Sequence, residues 1–147
     1  MTKFSCDSLK GVAVVVVEDH DETRETLQTV LTVAGARVQA APSATAGLLL
    51  VEQHRPDVLV ADLEMPEVDG WELLRRVRAL PPERGGRTPA VALTAHSSAA
   101  DKAKSIEAGF LLHLTKPFDP YELVDLLAAL TVWDRHVRDT KPPPKHR

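Results

Sequence analysis

Five polar side chains stand at or just after the ends of apolar runs in this sequence, and together they could handle a phosphoryl group. They are Glu18, Asp19, Asp62, Thr94 and Lys116. Carboxylates held close together raise one another's pKa unless a cation joins them, and Mg²⁺ is the divalent ion that best suits such hard oxygen ligands. Three carboxylates, one Mg²⁺ and one ammonium carry no net charge. Such a site could accept a dianionic phosphoryl donor.

The set contains no histidine, cysteine or serine, so the candidate nucleophile is a carboxylate, a group that does form aspartyl phosphates. Asp62 ends a run that we expect to be a central buried strand, and the turn-rich segment 63–70 follows it. We therefore expect the Asp62 side chain to be exposed and rigidly supported. Phosphoryl transfer requires in-line positioning and neutralisation of spreading charge, and this set of residues is suited to both.

The elements that must position these residues are strands of a parallel sheet. Apolar, β-branched runs lie at 12–17, 58–61, 90–93 and 110–114, with a weaker one at 37–41. They do not alternate with polar residues, which is typical of strands buried on both faces. Because ligands bind outside the carboxyl ends of strands in open α/β sheets, the five polar residues should meet at one edge.

Segments with helical periodicity lie between the predicted strands and after the last strand. The sequence therefore predicts an α/β architecture with right-handed crossovers. In the fourth helix, residues 98–108, only Ala103 and Ile106 qualify as core residues. The residues that should start or end the helices are Gly35, Ser43, Pro56, Asp69, Pro81, Gly109 and Asp119.

Composition limits both the domain organisation and the partners. A chain of 147 residues with a formal net charge of -3 fits one domain and disfavours a nucleic-acid partner. No run approaches the ~20 apolar residues of a membrane span. The single cysteine agrees with a reducing compartment, so we expect a cytoplasmic protein without a membrane partner.

Proline, glycine and charge mark the segments outside the repeating strands and helices. Segment 80–89 contains Pro-Pro and Gly-Gly pairs, which indicate an inserted surface loop. We predict an N-terminal extension over 1–10, one domain over 11–132, and a basic, Pro-rich, mostly disordered tail over 133–147.

Four motifs, in order, resemble the response-regulator receiver (CheY-like) family of two-component signalling. They are VVVVED at 14–19, VLVADLEMPEVDG at 58–70, ALTA at 92–95 and KPF at 116–118. The resemblance implies a doubly wound, five-stranded parallel sheet in the order 2-1-3-4-5, which is a flavodoxin-like three-layer sandwich. It also implies a cis peptide bond between the lysine and proline of the last motif.

The resemblance further implies a role for each site residue. Asp62 accepts a phosphoryl group from a phosphohistidine of a sensor histidine kinase or a histidine phosphotransfer domain. Mg²⁺ is the cofactor, held by Glu18, Asp19 and Asp62 together with the backbone carbonyl of Glu64. Lys116 contacts the phosphoryl group.

Other residues would respond to the phosphoryl group. By the same resemblance, Thr94 contacts it and acts with His113 as the switch, while Glu64 and His96 tune its lifetime. His113 stands where the family usually has an aromatic residue, so it is equally well interpreted as an ordinary edge-strand residue. The switch would change a face formed by helix 4, strand 5 and helix 5, which would bind a downstream protein or form a weak homodimer.

Two alternatives remain open from the residues alone. The chain could be an interaction module of the same fold that never takes phosphate. It could instead be a Mg²⁺-dependent phosphohydrolase, but that chemistry needs a second aspartate where Glu64 stands, as well as a cap domain. We therefore expect no enzyme activity beyond self-phosphorylation and self-dephosphorylation. Trp71 is expected to pack on the third helix.

Overall fold

The computed structural model describes residues 7–95 and 98–140, with the backbone alone described over 133–140. The strands are β1 (Ala13–Val17), β2 (Arg37–Ala41), β3 (Val58–Asp62), β4 (Ala90–Thr94) and β5 (Leu112–Thr115). The helices are α1 (Asp21–Val33), α2 (Ala44–His54), α3 (Gly70–Arg78), α4 (Ala99–Ala108) and α5 (Pro120–Thr140). A short 3₁₀ turn, Pro82–Arg84, precedes β4.

The five strands form one parallel sheet in the order β2-β1-β3-β4-β5, which confirms the predicted topology. The register brings the strand ends into line: Val17 lies opposite Ala61, and Asp62 lies opposite Leu93. Residues that follow these strands therefore lie at a single edge, which we call the carboxyl edge.

Both faces of the sheet are covered by helices, which confirms the three-layer arrangement. Successive β1 residues point to opposite faces. Val14 and Val16 pack in a core with α1 and α5, whereas Val15 and Val17 pack in a second core with α2 and α3. Burial on both faces explains why the strands are continuous apolar runs in the sequence.

Short polar side chains cap the helices that they were predicted to start. Ser43 Oγ accepts a hydrogen bond from the Ala46 amide at 3.2 Å, and Asp69 Oδ1 accepts one from the Glu72 amide at 2.9 Å. Gly109 ends α4 with a left-handed φ of 108°. These contacts satisfy helix-terminal groups that have no partner within the helix.

The predicted core residues of α4 are wrong. Ala103 is exposed and Ile106 is 71% exposed, while Ser105 is the buried residue of this helix, at 1%. Ser105 can face inward because its hydroxyl accepts a hydrogen bond from Trp71 Nε1 of α3 at 3.0 Å. Trp71 itself, a residue of α3, packs against the core, as predicted.

Two predicted segment boundaries also change. β5 begins at Leu112 rather than at 110, because Phe110 packs in the core before the strand starts. α5 continues to Thr140, so 133–140, predicted as disordered tail, are helical. These residues contain neither proline nor glycine, so no helix breaker stops α5 there. Residues 141–147 and 1–6 lie outside the described residues.

Two segments pack more closely than expected. Leu9, in the predicted N-terminal extension, is fully buried, and its amide donates to the Ala34 carbonyl at 2.8 Å. The predicted surface loop is exposed at its 3₁₀ turn, but Gly85 and Gly86 are buried and Arg78 donates to the Gly86 carbonyl at 3.1 Å. In the described part of the chain, none of the helices combines the length and apolar character needed to cross a bilayer.

Candidate functional site

The structure places all five predicted polar residues at the carboxyl edge. Glu18 follows β1 and has no exposed surface, Asp62 ends β3 and is 3% exposed, and Thr94 ends β4 and is 1% exposed. Asp19, next to Glu18, is exposed, and Lys116 directly follows β5. Our expectation that Asp62 is exposed is wrong, because the surrounding structure covers its side chain almost completely.

Three carboxylates form an acidic cluster at this edge. One carboxylate oxygen from each of Glu18, Asp19 and Asp62 lies within 4.8 Å of the other two. The Lys116 ammonium lies between two of them, 3.1 Å from Glu18 Oε1 and 3.2 Å from Asp62 Oδ2. Four of the five predicted residues are therefore in close proximity. Thr94 stands on the neighbouring strand, one residue beyond the partner of Asp62 in the register.

Backbone amides orient the two buried carboxylates. The His20 amide donates to Glu18 Oε2 at 3.1 Å, and the Glu64 amide donates to Asp62 Oδ1 at 3.1 Å. In each case the donor lies two residues after the acid, so the loop after the strand holds the side chain that the strand delivers. The remaining oxygen of each carboxylate contacts Lys116.

The tight loop between β3 and α3 packs against the backbone of Asp62. The Gly70 amide donates to the Leu63 carbonyl at 3.0 Å. A Cβ atom at position 70 would collide with the Asp62 carbonyl oxygen and lie 2.9 Å from Leu63 Cα. The start of α3 can pack this closely against the end of β3 because residue 70 has no side chain. The sequence marks Gly70 only as a turn residue.

Lys116 is held in place by its own backbone. Its amide donates to the Thr94 carbonyl at 2.7 Å, which ties the residue after β5 to the end of β4. The peptide bond between Lys116 and Pro117 is cis, as predicted. The lysine side chain therefore starts next to the strands that carry the acids.

The acidic cluster carries more negative charge than its surroundings stabilise. Burial raises the pKa of Glu18, and the negative charge of Asp62 raises it further. The hydrogen bond from the His20 amide and the contacts with Lys116 lower the pKa, but by less. Burial also raises the pKa of Asp62, although Lys116 opposes the shift. Burial lowers the pKa of Lys116, but its hydrogen bond with Glu18 and the charge of Asp62 outweigh this and raise the pKa above its ordinary value. Lys116 therefore stays protonated.

The donor set suits a hard divalent cation. The acidic cluster offers three carboxylate oxygens close together, which are the ligands that Mg²⁺ prefers. The raised pKa values of Glu18 and Asp62 indicate that a second positive charge beside Lys116 would be favourable. The predicted involvement of the Glu64 carbonyl remains a prediction.

The predicted switch residue His113 lies in the middle of the edge strand β5. It is half-buried, and within the described residues neither ring nitrogen has a hydrogen-bond partner. Burial, and secondarily the charge of Lys102, lower the pKa of His113, so its ring is neutral at pH 7. His96 lies outside the described residues.

Sequence reasoning missed two residues near the acidic cluster. His20 caps α1, and its Nδ1 accepts a hydrogen bond from the Thr23 amide at 3.3 Å. Arg24 donates from Nη1 to the Glu18 carbonyl at 3.0 Å. Because Arg24 contacts a backbone carbonyl rather than a side chain, no pattern of residue types in the sequence indicates this contact.

Comparison with known proteins identifies a matching family and chains of similar sequence. A family model described as the response regulator receiver domain matches residues 14–128. A 14.6 kDa protein encoded in the sodA1 3′ region of Leptolyngbya boryana is 43% identical over 120 residues, covering 82% of this chain and 90% of that one. The response regulator MprA of Mycobacterium bovis is 34% identical over 132 residues, which cover 90% of this chain and 53% of that protein. The chain thus spans about half of MprA.

Solved structures show the same architecture. The receiver domain of the sensor histidine kinase PA1611 from Pseudomonas aeruginosa is 30% identical with a TM-score of 0.74, covering 83% of this chain and 98% of that one. That structure has a magnesium ion coordinated in its active-site cleft. The chemotaxis protein CheY4 from Vibrio cholerae is 29% identical with a TM-score of 0.75, covering 80% of this chain and 97% of that one.

Proposed function

The chain belongs to the response regulator receiver domain family, and we propose that it accepts a phosphoryl group on Asp62 in a two-component phosphorelay. One observation carries this proposal. The Asp62 carboxylate lies 3.2 Å from the Lys116 ammonium and within 4.8 Å of oxygens of two further acids. A buried carboxylate beside one fixed cation and a cluster of metal-ligand oxygens is suited to attack phosphorus.

The phosphoryl donor is a phosphohistidine of a sensor histidine kinase or phosphotransfer domain. An Asp62 carboxylate oxygen forms the new P–O bond while the P–N bond breaks, and the imidazole leaves with the electron pair of that bond. Lys116 stays protonated and stabilises negative charge on the transferred group. Thr94 donates its hydroxyl to a phosphoryl oxygen. Hydrolysis of the aspartyl phosphate resets the domain, so the chain acts as a signalling module rather than an enzyme.

Mg²⁺ is the proposed cofactor, with Glu18, Asp19, Asp62 and the backbone carbonyl of Glu64 as its ligands. When bound, it would neutralise phosphoryl oxygens and help to orient the group for in-line transfer. Support comes from the three carboxylate oxygens within 4.8 Å of one another. The chain's own residues supply the remaining positive charge through Lys116.

The output is a change in the face formed by α4, β5 and α5. We propose that Thr94 and His113 transmit phosphorylation to this face, which binds a downstream protein or a second copy weakly. α4 buries one side chain, Ser105, while its Ile106 is exposed. An element with so little buried surface is easily displaced. The proposal involves neither nucleic acid nor membrane and keeps the single-cysteine chain in the reducing cytoplasm.

Phosphoryl uptake tests the proposal directly. The protein is incubated with Mg²⁺ and acetyl phosphate, and its intact mass is measured. Wild type should gain one phosphoryl group and Asp62→Asn none, while Glu67→Gln, in the same loop, should behave as wild type. Uptake by Asp62→Asn would refute the assignment.

The same assay separates the two alternatives. A folded wild type that never gains the group would be an interaction module. Repeated turnover of a small phosphate ester would indicate a phosphohydrolase.

A further inference from the structure

Arg24 connects the first turn of α1 to the backbone of the acidic cluster. Its Nη1 donates to the Glu18 carbonyl at 3.0 Å, and its Nη2 lies 2.6 Å from Asp21 Oδ1. The arginine side chain is 18% exposed, whereas that of Asp21 is 81% exposed. The contact with Asp21 is thus an exposed ion pair of small energetic value. The contact with the Glu18 carbonyl is the better protected of the two.

The Glu18 carbonyl belongs to the peptide that leads into Asp19. The Glu18 amide donates to the Ala41 carbonyl at 3.1 Å, which holds the start of this residue against β2. Arg24 holds its other end. Asp19 is exposed, and the backbone between Glu18 and α1 determines where its side chain starts. Rotation of the Glu18–Asp19 peptide would move Asp19 away from the other two acids.

We propose that Arg24 is a positioning residue for the magnesium site: it fixes the Glu18–Asp19 peptide so that the Asp19 carboxylate faces Glu18 and Asp62. This inference rests on the proposed function, because it takes the acidic cluster as the Mg²⁺ ligands. Arg24 acts through the backbone and does not touch the metal or the phosphoryl group.

A guanidinium suits this position better than an ammonium does. It presents several N–H donors in a rigid plane, so one nitrogen can bind the carbonyl while another faces Asp21. A lysine would keep the charge but would hold only one of these partners at a time. Arg24→Lys therefore separates the effect of geometry from the effect of charge.

Charge and positioning predict opposite results for Arg24→Met. Removing a positive charge near three carboxylates should by itself strengthen cation binding. Losing the restraint on the Glu18–Asp19 peptide should weaken it, and removing a group that orients a metal ligand commonly costs about 10-fold or more in affinity. The direction of the change therefore distinguishes the two explanations.

Mg²⁺ binding to the full chain, measured by calorimetric titration without a phosphodonor, tests the inference. Arg24→Met should bind Mg²⁺ about 10-fold more weakly than wild type, and Arg24→Lys should fall between them. Arg75→Met is the matched control, because Arg75 makes the same i,i+3 ion pair with Glu72 away from the cluster, at 2.6 Å. It should bind as wild type does.

A second readout excludes a purely structural effect. The Mg²⁺ concentration that gives half-maximal phosphoryl uptake should rise by the same factor in Arg24→Met, while the rate at saturating Mg²⁺ stays within about twofold of wild type. A loss of folding would lower the uptake at every Mg²⁺ concentration.

Unchanged or tighter Mg²⁺ binding by folded Arg24→Met would overturn the inference. If Arg24→Met does not fold, Arg24→Lys decides, and wild-type affinity in that variant would also overturn it. The proposed function fails separately: if wild type binds no Mg²⁺, both proposals are wrong. If wild type binds Mg²⁺ and the Arg24 variants match it, only the positioning role is wrong.

Discussion

The Lys116 ammonium lies 3.2 Å from Asp62 Oδ2, and the same nitrogen lies 3.1 Å from Glu18 Oε1. One cation thus holds two buried acids whose pKa values burial raises. The stability of the carboxyl edge and its proposed chemistry depend on the same side chain.

Lys116→Met should lower both stability and phosphoryl uptake. Without the ammonium, the Glu18 and Asp62 carboxylates remain buried and each loses a hydrogen-bond partner, which costs about 1–3 kcal/mol at pH 7. The loss should shrink towards pH 5, because protonation of the carboxyls removes the unpaired charge. Urea unfolding at the two pH values measures this, with the exposed Lys10→Met as a control. Equal stability of Lys116→Met and wild type at pH 7 would contradict the role of Lys116.

Asp62→Asn should stabilise the protein at pH 7. The pKa values of Glu18 and Asp62 lie above their ordinary values of 4.5 and 3.8. Just above those ordinary values, the native state therefore binds more protons than the unfolded chain. Stability consequently falls as pH rises through the raised pKa values.

Removing one of the two acids should reduce this loss of stability with rising pH. We expect a gain of about 1 kcal/mol at pH 7, or ~2–4 °C in Tm for a chain of this size. Thermal melts of wild type and Asp62→Asn from pH 4 to 7 measure the difference, with Glu67→Gln as control. A lower Tm for Asp62→Asn at pH 7 would show that its contacts with Lys116 outweigh the cost of burying the charge.

Gly70→Ala should destabilise the protein, although alanine favours helices. The added Cβ would meet the Asp62 carbonyl oxygen and Leu63 Cα. The resulting displacement should cost about 1–3 kcal/mol, against the gain of up to about 1 kcal/mol that alanine usually brings to a helix. Chemical unfolding and acetyl phosphate labelling should both show a loss. Full uptake at wild-type stability would mean that the loop accommodates a side chain.

Glu67→Gly should stabilise the loop after Asp62. Glu67 has a φ of 71°, in the left-handed region that costs a residue with a side chain about 1–2 kcal/mol. Glycine avoids that cost but loses more entropy on folding, so we expect a net gain of about 0.5–1 kcal/mol. Glu83→Gly is the control: residue 83 is exposed and is not among the residues with positive φ in the described chain. That control should lose stability.

Ser105→Ala should loosen α4. Its hydroxyl accepts from Trp71 Nε1 at 3.0 Å, and Ser105 is the buried residue of α4. A double-mutant cycle with Trp71→Phe should give a coupling of about 1 kcal/mol. Hydrogen exchange of the α4 amides should speed up more than exchange in α3. Additive effects of the two substitutions would mean that this hydrogen bond does not hold α4.

The sequence predicts the sheet well because its strands are buried on both faces. Such strands are uninterrupted apolar runs, and four of the five, all except β5, match the predicted ranges to within one residue. β5 was harder to delimit because Phe110 packs in the core before the strand begins. Local patterns also located Ser43 and Asp69, since a capping side chain bonds to an amide only three residues away.

Features that depend on distant partners could not be predicted in this way. Ser105 faces the core because Trp71, far away in sequence, satisfies its hydroxyl. The contact of Arg24 with a carbonyl and the lack of space at Gly70 likewise exist only in the folded chain. The acidic cluster was anticipated because strand order brings its members to one edge. The burial of Asp62 was not, because neighbouring loops determine it.

Lys116 follows the edge strand β5, the last strand in chain order. During translation, Glu18, Asp19 and Asp62 leave the ribosome well before the residue that pairs with two of them. A nascent chain that ends before residue 116 therefore lacks the cation of the site. Because domains generally fold as units, we expect competence for phosphorylation to appear only after β5 and Lys116 have been synthesised, and in a single step.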